Sequence, residues 1–306
     1  MSCVICLEDG AEFACECSCF HVHCLSNFLL RNGNRGECSI CFSRFDRSML
    51  AAASDIAFTR TRNLFGPAHG TTMVLKLELA TALAIAGDAE KAKRLLQDII
   101  AAAVEPSWLV SVAKVELART LRDSGEPMAA CQVLEGLVSC LARAPERWAQ
   151  HEHVEASTLL GACYLDLGHL AMAEKKLFLA MDNHLHNENC CAKKVVTCMR
   201  HIANYYEARN EFVLARDTYR VALKIVEAEE CDPSRLALAR LDLASADIKI
   251  GATSQAAARM RGVIKVLRKR KHDGYALEAL PEARKKLASV VRPKRRLRAP
   301  TLPEDC

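Results

Sequence analysis

Cysteine and histidine are concentrated at the start of the chain, in spacings that suit metal binding. Eight of the 16 cysteines fall within the first 41 residues. They form Cys3-x-x-Cys6, a group at Cys15, Cys17 and Cys19, the pair His21-x-x-Cys24, and Cys38-x-x-Cys41. Two ligands separated by two residues can turn back on one ion, and thiolate and imidazole are common zinc ligands. Four such pairs predict two tetrahedral zinc sites.

A disulfide framework is the rival explanation for this cysteine content. Disulfides need an oxidising compartment, whereas the sequence starts Met1-Ser2-Cys3 with no basic flank and no apolar signal segment. Zinc is therefore the preferred expectation. The later cysteines, among them Cys131, Cys163 and Cys198, lie in helical-looking sequence without ligand spacing. They are predicted to be small buried apolar residues.

The order of the pairs predicts that the two sites interleave, with pairs one and three on one ion and pairs two and four on the other. Only two of the three middle cysteines are needed. If Cys17 and Cys19 are ligands, one residue separates Cys19 from His21, although the two bind different ions, and two extended residues span only about 7 Å. Cys15 and Cys17 leave more chain for the crossing and are preferred. The pair Cys17 and Cys19 stays an alternative.

This ligand order resembles the RING finger, in its RING-CH variant, whose fourth ligand is Cys and whose fifth is His. The resemblance covers roughly residues 1 to 45. It implies two Zn²⁺ ions, bound by Cys3, Cys6, Cys15, Cys17, His21, Cys24, Cys38 and Cys41. A PHD-type finger shares the ligand order but has a longer spacer before its His, and it remains a second alternative.

The resemblance also implies a function. A structural zinc site has all four positions filled by protein, so the metal itself is not catalytic. RING fingers recruit a ubiquitin-conjugating enzyme and promote ubiquitin transfer by proximity, without a covalent intermediate. By resemblance, Ile5 and Phe28 would contact that enzyme, although both could instead form the small core of the finger. Ser39 replaces the Pro that is common in the family, and Phe42 stands where many active members have a basic residue.

After about residue 71 the composition shifts to Ala and Leu, which indicates helices, and an internal repeat is present. The turn positions are Gly87, Gly125, Gly168, Asn210 and Gly251; seven residues before them stand Ala80, Ala118, Gly161, Ala203 and Ala244; five residues after them stand Ala92, Ala130, Ala173, Ala215 and Ala256. Nine residues after the turn come Leu96, Leu134, Leu177, Tyr219 and Met260. Small residues on both sides of a helix breaker predict helix pairs that cross closely.

The five units resemble tetratricopeptide repeats, in the longer form found in kinesin light chains. The sequence therefore predicts a mostly α fold, in which a small cross-brace zinc finger precedes an α-solenoid. The expected boundaries are a finger at 1–45, a linker helix and break at 46–70, repeats at 71–272, a capping helix at 273–291 and a basic disordered tail at 292–306.

A solenoid exposes a long concave face, so its usual role is to bind proteins or peptides. If the family register holds, the first helix of each pair faces the groove with Val112, Val115, Arg119 and Arg122 in the second repeat, and with Thr197, Arg200, Asn204 and Glu207 in the fourth. A polar and basic floor would suit an extended peptide with acidic groups. An ordinary solvated helix face is the alternative.

The net charge of +5 is unevenly distributed. Residues 281–306 carry eight Lys or Arg and three Asp or Glu, so the preceding residues sum to zero. Basic runs of this kind suit nuclear import signals, anionic membranes or nucleic acid, although the absence of interleaved aromatics makes nucleic acid the weaker expectation. A solubilising tail after the capping helix is the alternative. The sequence contains no Gly-rich phosphate loop and no nucleophile triad. The pairs His151/His153 and His184/His186 are expected to be exposed beside repeat loops.

No apolar run is long enough to span a bilayer, so the expectation is a soluble protein of the cytoplasm or nucleus. Together these features predict a RING-type E3 ubiquitin ligase. In this reading the finger engages the conjugating enzyme and the repeats bind a protein or peptide substrate. The competing hypothesis is a non-catalytic zinc-binding scaffold that assembles protein partners.

Overall fold

The computed structural model describes residues 2–3, 5–13, 18–32, 45–102, 107–186, 191–229, 233–270 and 274–291. Within these residues the chain forms two short strands and thirteen helices. Twelve of the helices follow one another from residue 47 to residue 291 and form one helical array. The expected class, a mostly α chain built as a tetratricopeptide-like solenoid, is confirmed.

The amino-terminal segment is a small hairpin structure followed by a helix. Strand β1 (Glu12–Phe13) pairs antiparallel with β2 (Cys19–Phe20), with Glu12 opposite Phe20. Helix α1 (Val22–Asn32) begins directly after β2. Leu25 and Leu29, one turn apart on α1, are buried and supply its apolar face.

The array consists of α2, five helix pairs and a last helix. After α2 (Arg47–Phe65), the pairs are α3 (Gly70–Ala86) with α4 (Ala89–Ala102), α5 (Trp108–Asp123) with α6 (Pro127–Leu141), α7 (Arg147–Asp166) with α8 (Leu170–His186), α9 (Ala192–Ala208) with α10 (Phe212–Ala228), and α11 (Pro233–Lys249) with α12 (Thr253–Leu267). Helix α13 (Gly274–Val291) packs on α11 and α12 and ends the array. No described helix is long and apolar enough to cross a membrane.

The turn inside each pair has the backbone conformation that its residue type favours. Gly87, Gly125, Gly168 and Gly251 have φ between 74° and 94°, and Asn210 has φ 62°. Glycine and asparagine adopt left-handed conformations most readily. Each first helix therefore stops at the position that the sequence pattern identified.

The small residues flanking these turns form the crossings of the helix pairs. All nine alanines of the repeated pattern have no exposed surface, and the tenth small residue, Gly161, is buried as well. The large residues four positions further on, represented by Leu96 and Leu134, are also fully buried. The two helices of a pair approach closely at the alanines, which brings these larger side chains into the core. Each repeat therefore buries apolar side chains within itself and against the next repeat.

Helix α2 joins the finger to the array. Asp46 caps it by accepting a hydrogen bond from the backbone N–H of Met49 at 3.0 Å. Leu50 lies in one core with Leu25 and Leu29 of the finger and with Ala82 of α3. The helix therefore packs on both neighbours, and the finger is held against the first repeat by apolar burial.

Candidate metal centre and concave groove

Cys3 and Cys6 lie in a tight turn of the amino-terminal hairpin. The Cys3 N–H donates to the Glu8 carbonyl at 2.8 Å, and the Leu7 N–H donates to the Cys3 carbonyl at 2.8 Å. Leu7 itself has φ 66°, a left-handed conformation that is uncommon for a bulky residue. This backbone turns both sulfurs towards one point.

His21 and Cys24 reach the same point from the start of α1. The His21 carbonyl accepts from the Leu25 N–H at 2.9 Å, so His21 and Cys24 lie one helical turn apart. The His21 Nδ1 is 3.3 Å from the Cys6 sulfur, and its Nε2 is 2.9 Å from the Asp9 carbonyl oxygen. Since a carbonyl can only accept, Nε2–H is the donor and Nδ1 is left for a metal. Such a second hydrogen bond is typical of metal-binding histidines.

The ligand atoms of Cys3, Cys6, His21 and Cys24 all lie within 4.8 Å of one another. Ligands 2.3 Å from a zinc ion at tetrahedral angles would be about 3.8 Å apart, so a small contraction would close the shell. The donor set of three sulfurs and one imidazole fits zinc. This group could bind a metal ion, and its members are the first and third pairs of the predicted interleaved order.

The pKa values of the buried Cys3 thiol and the half-buried Cys24 thiol are shifted in opposite directions. Burial acts to raise the pKa of Cys3, but backbone N–H groups of Cys6, Ile5 and His21 lower it to about 6. Burial, reinforced by the neighbouring sulfurs of Cys3 and Cys6, raises the pKa of Cys24 to about 12. The metal-free cluster thus accommodates one thiolate and resists a second. A divalent cation removes that repulsion and displaces the remaining protons.

The second predicted site cannot be described in the same way, because Cys15, Cys17, Cys38 and Cys41 lie outside the described residues. Cys19 is described, and its side chain is 9% exposed. It packs with Cys3, Ala11 and Cys24 against the first centre. The choice of Cys15 and Cys17 over Cys17 and Cys19 stays a prediction.

The two residues expected to contact a conjugating enzyme differ in their surroundings. Ile5, inside the first ligand pair, is 45% exposed, and the adjacent Leu7 is 77% exposed. Phe28 is partly buried and its ring lies 5.9 Å from that of Phe20. Ile5 is therefore available to a partner, whereas Phe28 also contributes to the core between the finger and α2.

A concave groove of about 960 Å³ runs along the first helices of repeats one to four. Its lining includes Glu116, Arg119, Glu155, Lys194, Thr197 and His201. These residues come from α5, α7 and α9, which are spaced at about forty residues in the sequence. The groove is thus built by the repeat geometry.

Of the eight residues predicted to face this groove, Arg119 and Thr197 are among the lining residues. Arg122 forms an ion pair with Asp166 of the next repeat, and Arg200 pairs with Asp242 at 2.8 Å. The Oδ1 atom of Asn204 accepts from the Tyr219 hydroxyl at 2.6 Å. These three side chains therefore join neighbouring helices, and any role of theirs in peptide binding stays a prediction.

The expectation that Val115 faces the groove is wrong. Val115 is 2% exposed and packs in the core of repeats two and three, among residues that include Leu134 and Leu160. Its position, three residues before Ala118, places it on the side of α5 that faces the second helices. The register of the repeat thus directs Arg119 outward and Val115 inward.

The groove floor carries both charges, where the sequence suggested a basic surface. Glu155 lies between Lys194, at 2.5 Å, and Arg119, at 3.4 Å. Although burial acts to raise the pKa of Glu155, its contacts with Lys194 and Arg119 lower it overall. Glu155 is therefore ionised at neutral pH and neutralises part of the basic character of the groove.

Two histidines line the groove although the sequence did not predict them there. His184, expected to be exposed, is 6% exposed and lines the groove. His201 also lines it, and burial together with Arg122 and Arg200 lowers its pKa to about 3. Neither histidine occurs in a ligand spacing, so only their placement on the concave side of the helices could have identified them.

No family model matches the chain, and no curated protein matches it at a significant level. Solved structures do match. BtubC (BKLC) from P. vanneervenii has a TM-score of 0.55 at 16% identity, over 85% of this chain and 99% of that chain. A kinesin light chain protein from Podosopora anserina with nearly identical TPR-like repeats has a TM-score of 0.50 at 17% identity, over 69% and 97%.

A tetratricopeptide repeat protein from Parabacteroides merdae gives a similar result, with a TM-score of 0.50 at 14% identity, over 89% of this chain and 93% of that chain. At such identities the likeness concerns the fold alone. The chain therefore has the architecture of a TPR-like helical repeat protein, preceded by a Cys/His cluster that could bind a metal ion.

Proposed function

We propose that the protein is a RING-type E3 ubiquitin ligase. In this proposal the finger recruits a ubiquitin-conjugating enzyme, and the groove of the repeats holds the protein substrate. The observation that carries it is the convergence of Cys3 and Cys6 with His21 and Cys24, although the middle cysteines lie between them in sequence. Interleaving of this kind supports a cross-brace finger with a second zinc site formed by Cys15, Cys17, Cys38 and Cys41.

The exposed apolar residue of the finger supports an interaction with another protein. Ile5 projects from the turn that holds Cys3 and Cys6, so a bound zinc would fix its position. A rigid apolar contact suits a ligase that acts by orienting its partner, since such a ligase needs no nucleophile of its own. The groove, with its mixed charges, would then bind the substrate along repeats one to four.

Alanine substitution of two exposed apolar residues, one in the finger and one in α2, tests the proposal. The Ile5→Ala variant should lose about 10-fold or more of its autoubiquitination rate with at least one member of a panel of conjugating enzymes, because contacts at the centre of an interface dominate its affinity. Leu64→Ala is the matched control, since Leu64 is 76% exposed at the far end of α2. Elemental analysis should return two equivalents of zinc for both variants.

Two results would count against the ligase. One is an unchanged rate for Ile5→Ala in protein that retains its zinc. The other is a lack of activity with every conjugating enzyme tested, which would favour a scaffold. The packing of the finger against α2 and α3 is what supports that second candidate, because a metal-stabilised end piece would also protect the first repeat.

A further inference from the structure

Positive charge is concentrated on the outer face of α12. The segment from Thr253 to Arg270 contains six Lys or Arg and no Asp or Glu. One of them, Arg259, lies 2.9 Å from the buried carboxylate of Asp247. Four others are exposed and form a basic face, which consists of Arg261, Lys265, Arg268 and Lys269.

Arg261 and Lys265 lie on one side of α12, and Arg268 and Lys269 follow directly after its last residue, Leu267. At 100° per residue, Arg261, Lys265 and Arg268 fall within an arc of about 60°, and the four residues extend over about 12 Å along the axis. Arg268 still has helical dihedral angles, with φ −62° and ψ −25°. The opposite side of α12, which includes Met260 and Leu267, is buried in the core with α11 and α13. The basic face is thus turned to solvent by the packing of the helix.

Other cations of the array form ion pairs with acidic side chains. Arg122, Arg200 and Lys249 each form an ion pair with an acidic residue on a neighbouring first helix. Within the described part of the chain, the side chains of the basic face form no ion pair or hydrogen bond. Their mutual repulsion is therefore uncompensated by the fold.

Stabilisation of the helix explains only part of this pattern. Cations in the last turn, or just beyond it, interact favourably with the helix dipole, which accounts for Lys265, Arg268 and Lys269. Arg261 lies in the middle of the helix, where the dipole gives no such benefit. An external anion is the remaining source of compensation.

We propose that the basic face binds the surface of an anionic phospholipid bilayer. A plane of phosphate groups can meet all four cations of a straight helix at once, and clusters of four to eight Lys or Arg are typical of such contacts. The other exposed residues on this side are small, namely Ser254, Ala258 and Gly262, so they permit close approach. The sequence beyond α13 adds five Lys or Arg between residues 292 and 298 at the same end of the chain.

A nucleic acid fits the same face less well. Exposed large apolar residues are absent from the described residues between Val221 and Val291, so there is no aromatic side chain for stacking on bases. A double helix also curves away from a straight row of side chains, which reduces the number of phosphates in reach. Binding to the bilayer is accordingly electrostatic, without insertion of apolar groups.

Vesicle cosedimentation tests the proposal with the full chain. The probes are vesicles of phosphatidylcholine alone and of phosphatidylcholine with about 30% phosphatidylserine, at low and high salt. Each cation near such a surface contributes about 5-fold in affinity, so removal of four should weaken binding by about 100-fold or more. The variant is Arg261→Gln, Lys265→Gln, Arg268→Gln and Lys269→Gln combined.

The matched control removes four exposed cations from other helices, by Lys91→Gln, Arg94→Gln, Lys175→Gln and Lys224→Gln. It changes the net charge equally and should bind serine-containing vesicles within about 5-fold of the unmodified protein. Thermal melting by circular dichroism establishes that both variants fold.

Three results would overturn the proposal. The unmodified protein could fail to bind serine-containing vesicles; it could bind a 20-base-pair duplex while ignoring the vesicles; or the basic-face variant could bind the vesicles as tightly as the control does. The last result would transfer the interaction to the residues after 291. Retention of vesicle binding by the control together with its loss in the basic-face variant supports the proposal, whatever the outcome of the ubiquitination assays.

Discussion

His201 lies on the floor of the groove with its Nδ1 atom buried and without a hydrogen-bond partner. A buried acceptor without a partner is less costly than a buried N–H donor without one. The proton of the neutral ring is therefore assigned to Nε2. Burial and the guanidinium groups of Arg122, Arg200 and Arg119 all oppose a second proton, so this histidine stays neutral at physiological pH.

The stability of the protein should consequently fall in mild acid. In the folded state the pKa of His201 is lowered to about 3, whereas in the unfolded chain it takes its ordinary value of 6.5. Below pH 6.5 the unfolded state gains a proton that the folded state does not bind, so stability is full above that pH and is lost as the pH falls. At pH 5.5 the loss from this residue is about 1.4 kcal/mol.

Urea unfolding at pH 7.5 and 5.5 measures this effect. The His201→Gln variant should lose less stability between the two pH values than the unmodified protein does, by about 1 kcal/mol. His153 and His184, whose pKa values are also lowered by burial, contribute to the loss that remains. The exposed His186 provides the control variant, His186→Gln. An equal pH dependence in all three proteins would contradict the assignment.

Substitution by alanine should have opposite effects on stability at Gly161 and at Gly136. A Cβ atom at Gly161 would lie 2.7 Å from the Cγ and Cδ2 atoms of Leu177, at the crossing of α7 and α8. Gly161→Ala should therefore destabilise the protein by about 1–3 kcal/mol. Gly136 is exposed in α6 with no atom within 4 Å of the added group, so Gly136→Ala should stabilise it by up to about 1 kcal/mol. Differential scanning calorimetry distinguishes the two signs.

The ion-pair partners of Arg122 and Arg200 could not be predicted from the sequence. Residue type and spacing place Arg122 and Arg200 on first helices, and that much follows from the repeat period. Their ion pairs with Asp166 and Asp242 span about forty residues and depend on the angle between successive repeats. That angle results from packing summed over the whole crossing, so no local pattern encodes it.

Among the elements, the helix pairs were predictable and α2 was less so. Each pair is defined by residues close in sequence, because a left-handed turn and two small residues suffice to fix its crossing. The sequence pattern that predicts α2 is weaker, because the apolar residues of this helix face two different neighbours. Met49, Leu50 and Ala53 face a core that includes both Leu29 of the finger and Ala82 of α3.

This double role of α2 predicts that a core substitution there affects metal binding. Leu50 is 1% exposed, so Leu50→Ala should cost about 2–5 kcal/mol. Because Leu50 supports Leu25, one residue after Cys24, the variant should also release zinc to a chelator faster than the unmodified protein. Leu64→Ala on the same helix serves as the control, and zinc release is followed with a colorimetric indicator. Equal release rates in both variants would show that α2 does not support the metal site.

At the scale of the whole molecule, the finger and the array are stabilised by different means. The repeats bury apolar surface between consecutive helices, and each repeat depends mainly on its neighbours. The finger has a small core and two short strands, so a bound metal would supply much of its folding free energy. Within the described residues, the two regions meet where α1 packs on α2, in an apolar cluster that also includes Phe20 of β2 and Ala82 of α3.

Removal of the metal should therefore unfold one end of the molecule and leave the other intact. With a zinc chelator, hydrogen exchange should accelerate in residues 5–32 and, to a smaller degree, in α2, which loses its contacts with Leu25 and Leu29. Exchange in α5 to α12 should remain within about 2-fold of the metal-loaded value, since the clusters formed by the described core residues of those helices contain no residue of the finger. Mass spectrometry of peptic fragments resolves these regions. Uniform acceleration along the chain would mean that the array folds as one cooperative unit with the finger, and unchanged exchange in residues 5–32 would mean that the metal does not hold the finger together.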